Sequence, residues 1–145
     1  MSSNYLTGSR VPKPNHNAVA EYLQSGIPYV TSSHTLNNEV VQISFPTVSR
    51  WFVVHNTDHS TSTVLNIGFT ANGVNGVNGK NYYLLHAGEQ TPRLEIKTKD
   101  LFIKCPGNGG KFSVIAGLTG VPASNFPTLT GSLEENGIKV LPGVG

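Results

Sequence analysis

The side chains with chemical potential are few. His55 and His59 bracket Asp58 and form the one local cluster among five histidines, His16, His34, His55, His59 and His86. On a helix, two histidines four residues apart share a face and can hold zinc. Here His55 ends an apolar run and His59 stands among Ser and Thr, so a metal would need a third ligand such as His86, delivered by the fold. A metal-dependent cupin would carry a His-X-His pair on one strand, and there is none. Glycoside cleavage requires two carboxylates opposed across a sugar. Asp58, Glu89, Glu95 and Asp100 fall in predicted loops or on outward strand positions, with Glu95 between Arg93 and Lys97 as a solvated charge ladder. Glu134 and Glu135 fall in the tail. Cys105 has no nearby His partner or cationic setting to activate it. No Gly-X-Ser-X-Gly elbow occurs, and Asn108-Gly-Gly110 precedes a strand rather than a helix, so it is no phosphate loop. This reading expects no catalytic residues, no metal and no cofactor, and a protein that is not an enzyme.

Aromatic side chains are the other candidates. Trp51, Phe52, Tyr82, Tyr83 and Phe102 lie in runs that alternate between two faces. Placing Trp51 in the core leaves Phe52, Tyr83 and Phe102 on the opposite parity. Grouped exposed aromatics mark an interface, so these three are expected at a contact between subunits, with a place in the core and a sugar-stacking platform as the alternatives.

The elements that would position them are strands. Val41, Ile43 and Phe45 alternate with polar residues, as do Leu65, Ile67 and Phe69, Leu94 and Ile96, and Phe112, Val114 and Ala116. Such alternation describes strands with one buried face. Trp51–His55, Tyr82–Leu85 and Leu101–Cys105 are apolar on both faces, which suits central or covered strands. Gly, Pro and Asn clusters separate the runs, so the chain reads as an all-β sandwich or barrel over residues 39–131. The triple Asn-Gly stretch, Asn72-Gly73-Val-Asn75-Gly76-Val-Asn78-Gly79, is predicted as a loop at one end of the sandwich.

Residues 1–38 differ, being polar and proline-spaced, and read as an N-terminal arm that orders on contact, with a floppy tail as the alternative. Asn17–Gln24 would make two helical turns with Val19, Tyr22 and Leu23 on one side, and Ile27–Thr31 a strand in which Pro28 demands an edge. Val19, Tyr22, Leu23 and Tyr29 are the expected anchors of the arm. Residues 132–145 form a C-terminal tail.

Composition narrows the partners. Of 145 residues only 12% are charged, against about 25% in ordinary soluble domains. A surface poor in charge suits one that neighbours cover, because desolvating charge is costly. The net charge of +2 is scattered, which argues against direct nucleic-acid binding. One cysteine allows no intrachain disulfide, and the first residues show no signal peptide or membrane span. The expected setting is a reducing, soluble compartment, at least until assembly.

Several segments resemble the small vertex (penton) capsid proteins of large nucleocytoplasmic icosahedral DNA viruses. They are Ile43-Ser-Phe-Pro-Thr-Val-Ser-Arg-Trp51, Val54-His-Asn56, Ile67-Gly-Phe-Thr-Ala-Asn-Gly-Val-Asn75, Asn81-Tyr-Tyr-Leu-Leu85 and Lys97–Ile103. The most distinctive is Ile115-Ala-Gly-Leu-Thr-Gly-Val-Pro-Ala-Ser-Asn-Phe-Pro-Thr-Leu-Thr-Gly131, and the closing Gly143-Val-Gly145 adds to it. The resemblance covers 39–145, while Leu133–Leu141 is longer than that family's ending. It implies a single eight-stranded jelly roll forming a homopentamer at each five-fold vertex. The partners would be itself and the neighbouring major and minor capsid proteins. The protein would be made in the host cytoplasm and reside in the virion. A carbohydrate-binding module for surface attachment is the alternative.

Overall fold

The computed structural model describes residues 27–77, 79–129 and 143–145. The expected anchors Val19, Tyr22 and Leu23, the loop residue Asn78, and most of the tail lie outside the described residues.

Alternation along each run produces the strands, and the buried half of each run fills one core. The strands are β1 (Ile27–Thr35), β2 (Val40–Ser44), β3 (Thr47–Asn56), β4 (Val64–Gly68), β5 (Tyr83–His86), β6 (Asp100–Lys104) and β7 (Gly110–Pro122). They form two antiparallel sheets, ordered β1-β7-β3 and β2-β6-β4-β5. The core between them includes Ile43, Phe45, Phe52, Val54, Leu65, Leu85, Leu101, Ile103, Phe112 and Val114. The all-β sandwich is therefore present, with seven regular strands among the described residues.

The eighth predicted strand, around Leu94 and Ile96, is irregular. Residues 90–96 run antiparallel beside β3, with isolated bridges at Phe52–Leu94 and His55–Gln90. Phe52 and Leu94 exchange both backbone hydrogen bonds, at 3.0 and 2.9 Å. Pro92 lacks an N–H and interrupts the ladder.

Residues 27–35 belong to the sandwich, so it begins earlier in the chain than residue 39. β1 pairs with β7 along its whole length, from Ile27 opposite Leu118 to Thr35 opposite Gly110. Tyr29, the one described anchor of the supposed arm, packs edge-on against Phe45 at 4.9 Å inside the sandwich. Pro28 is tolerated because β1 is an edge strand.

The Asn-Gly stretch is not a simple loop. Ala71–Asn75 form a short helix, α1. The Thr70 side chain caps it by accepting from the Gly73 N–H at 2.9 Å, and Gly76 closes it at φ 73°. The caps and the burial of Val74 override the weak helix propensity of Asn and Gly. Gly73 is buried because residues 143–145 lie against it: a Cβ there would run into the Val144 carbonyl.

Candidate interaction site

The three aromatics expected at one interface occupy three environments. Phe52 is fully buried. Residues directly opposite in a ladder share a face, and Phe52 stands opposite Ala116, which with Phe112 and Val114 faces the core. Trp51 therefore points outward, reversing the predicted parity. It is half-buried beneath the guanidinium of Arg93, 5.2 Å from its ring centroid. Phe102 is half-buried on the outside of β6, where Phe126–Leu129 pass beside it. Tyr83 alone is well exposed, at 58%, on the edge strand β5.

Tyr83 stands on the rim of a slot between the two sheets. β5 borders it on one side and residues 90–96 on the other. The sheets diverge there, leaving a cavity of about 250 Å³ lined by Phe52, Ile67, Phe69, Tyr83, Thr91, Pro92, Leu94 and Ile96. The lining is almost wholly apolar, and Ile96 is 39% exposed. With so few polar groups to orient a reaction, the slot suits apolar side chains.

A charged cluster lies on the other side of residues 90–96. Arg93 donates to Glu95 through Nε at 3.3 Å and Nη2 at 3.1 Å. Arg50 approaches the same carboxylate at 3.6 Å. Two guanidinium groups thus share one acid. Arg50 Nη1 is buried and has no hydrogen-bond acceptor among the described residues, a costly state for a polar group that normally pairs. Alternation along 92–96 places Pro92, Leu94 and Ile96 toward the slot and Arg93 and Glu95 away from it.

The other candidate residues are engaged elsewhere. Among the described residues, no three His, Cys, Asp or Glu side chains come together as a metal-binding group. His55 is half-buried on β3 and His59 is exposed. Asp58 accepts from the Ser60 N–H, Glu89 from the His86 N–H, and Asp100 from Gln42 and Ser44. These bonds fix turns and strand pairs. Cys105 is buried, and burial above all, with the nearby Asp58 charge, pushes its thiol pKa up. That favours the unreactive thiol over the thiolate. No described helix is long and apolar enough to cross a membrane.

The slot and its arginines were not legible as a site in the sequence. The sequence does show Arg93 and Glu95 alternating with Pro92, Leu94 and Ile96, but which face was open depended on where the sheets separate. No model of a known protein family matches the chain, and no curated protein matches it.

Proposed function

We propose that this chain is a penton subunit: a jelly roll that forms a homopentamer and closes the five-fold vertices of an icosahedral viral capsid. The observation that carries the reading is the order of strand pairing. Counting residues 90–96 as a sixth strand makes β6 the seventh and β7 the eighth. First then pairs with eighth (β1 with β7), second with seventh (β2 with β6), third with sixth (β3 with 90–96) and fourth with fifth (β4 with β5). That nesting is a long antiparallel hairpin rolled into two sheets, which is the jelly-roll arrangement of many capsid shells. The resemblance of Ile43–Trp51 and Ile115–Gly131 to vertex proteins points the same way, as does the scarcity of charge.

The function is mechanical in this reading. A rigid sandwich fills a wedge around the axis, and head-to-tail contacts close the ring. The carbohydrate-binding alternative needs aromatic faces side by side. Trp51 lies under Arg93 on one sheet and Tyr83 on the edge of the other, so no such platform supports it.

Light scattering of the purified full chain across a concentration series tests the proposal. The expected result is a species of five protomers that gains population as concentration rises. A monomer at every concentration that also fails to join vertex-deficient particles overturns it. Saturable glycan binding lost in Tyr83→Ala would then favour the attachment module.

A further inference from the structure

The slot and the arginine pair lie on opposite sides of one exposed strand edge. Residues 90–96 pair with β3 on one side and have no neighbouring strand on the other among the described residues. An extended peptide added there would present successive side chains alternately to the slot and to the arginines, the usual logic of edge-strand recognition. The occupant must offer an apolar side chain for the slot and, beside it, an acid for the two guanidinium groups that now share Glu95.

Two segments outside the described residues carry that pattern, Glu21-Tyr22 and Leu133-Glu134, but in the second alternation would also turn Glu135 toward the apolar side. Among residues 1–26 the only acid is Glu21, set in Val19-Ala-Glu21-Tyr22-Leu23. Two isolated helical turns are too short to persist in water, and once extended the Glu21-Tyr22 step sends the carboxylate to one side and the ring to the other. We propose that residues 19–23 of a neighbouring copy add to the edge of residues 90–96, with Tyr22 in the slot and Glu21 on Arg50 and Arg93. This rests on the assembly reading above and names the contact that would carry the arm from copy to copy.

Reach favours the neighbour over the same chain. Ile27 shares a row with Leu118 and Ser49, and the Ser49 hydroxyl donates to the Ile96 carbonyl. Three strand spacings separate Ile27 from Ile96, roughly 14 Å. Tyr22 lies five residues before Ile27, about 17 Å at full extension, so an arm folding back onto its own slot would be nearly taut. β3 and β7 also run on past that row to Thr47 and Pro122 and stand in its path. A neighbour's arm meets neither constraint.

Disulfide trapping in the full chain tests this. Tyr22→Cys and Ile96→Cys are made in separate chains, one isotopically heavy, then mixed and mildly oxidised. Cys105 stays, since it is buried. The expected product is a heavy–light disulfide dimer, at least tenfold above a control pair of Tyr22→Cys with Val30→Cys, whose position is 68% exposed on the far edge strand of the same sheet. Adding Glu21→Lys to the arm should cut that yield about tenfold. A yield no greater than the control, or one indifferent to Glu21→Lys, overturns the assignment. So does an intramolecular disulfide in the doubly substituted chain with none in the mixture. Native mass of the unmodified chain, measured in parallel, separates the two claims. A pentamer without trapping sinks the slot assignment alone, and a monomer at every concentration that also fails to join vertex-deficient particles sinks the assembly reading and the assignment with it.

Discussion

The sheet β1-β7-β3 has two flanks, and they are built to different standards. On one, β1 keeps an unbroken nine-residue register with β7, and Ser32 and Ser113 join their hydroxyls at 2.7 Å on its outer face. On the other, residues 90–96 follow β3 through isolated bridges, broken by Pro92. Both are exposed edges of one sheet. The first carries its regularity to the rim and closes over Tyr29 and Phe45. The second leaves Tyr83 and Ile96 apart across the gap and Arg50 without a full set of acceptors. Uncovered apolar surface thus arises where backbone pairing persists but side-chain closure fails.

The largest effect should come from removing the side chain that holds the open flank to the core. Phe52 is fully buried, pairs its backbone with Leu94, and meets Phe69 edge-on at 6.2 Å. Phe52→Ala is expected to cost about 3–5 kcal/mol in urea unfolding. A loss below about 1 kcal/mol, the range of a surface aromatic, would restore the outward parity expected for this residue and undo the description of the slot.

A smaller effect is expected at the clamp behind the same flank. Asn56 is buried on β3, and its Nδ2 donates across to the Leu85 carbonyl on β5 at 3.0 Å and to the Thr63 carbonyl at 3.3 Å. Asn56→Ala strands both carbonyls, and the cost is about 1–3 kcal/mol. Amide exchange should then quicken first in residues 83–96, with β1 little changed. Uniform quickening in both flanks would show that the two are not separable.

The smallest effect probes the closed side. Cys105 lies near Gly110, at the Thr35 end of β1. Its thiol pKa is raised in the folded chain, chiefly by burial. Below the ordinary thiol range both states hold the proton and stability is unaffected. Above it the unfolded chain loses a proton that the folded chain keeps, so stability falls as pH rises. The wild type should therefore lose more stability than Cys105→Ala between neutral and strongly alkaline pH, by urea midpoint. Parallel curves for the two would show that the thiol is not desolvated.

Much of the architecture was legible in residue order. Phe112, Val114 and Ala116 declare an inward face by alternation alone, and Pro28 announces an edge. These are local facts, because a strand's period is two and proline lacks a donor wherever it stands. Trp51 and Phe52 were misassigned because neighbouring apolar residues leave parity open. The choice belonged to β7, which sets Ala116 opposite Phe52 across 64 residues of chain. The Asn-Gly run was misread for a similar reason: Thr70, Gly76 and the distant Val144 supply caps and packing that propensity cannot see. Composition and alternation by themselves determined a charge-poor β-sandwich with a single core. Only the tertiary structure decided where its two sheets part, and so which apolar residues stay uncovered and which arginine nitrogen lacks an acceptor among the described residues. A strand's pattern says which side chains share a face, but the space in front of that face belongs to residues far away in the chain.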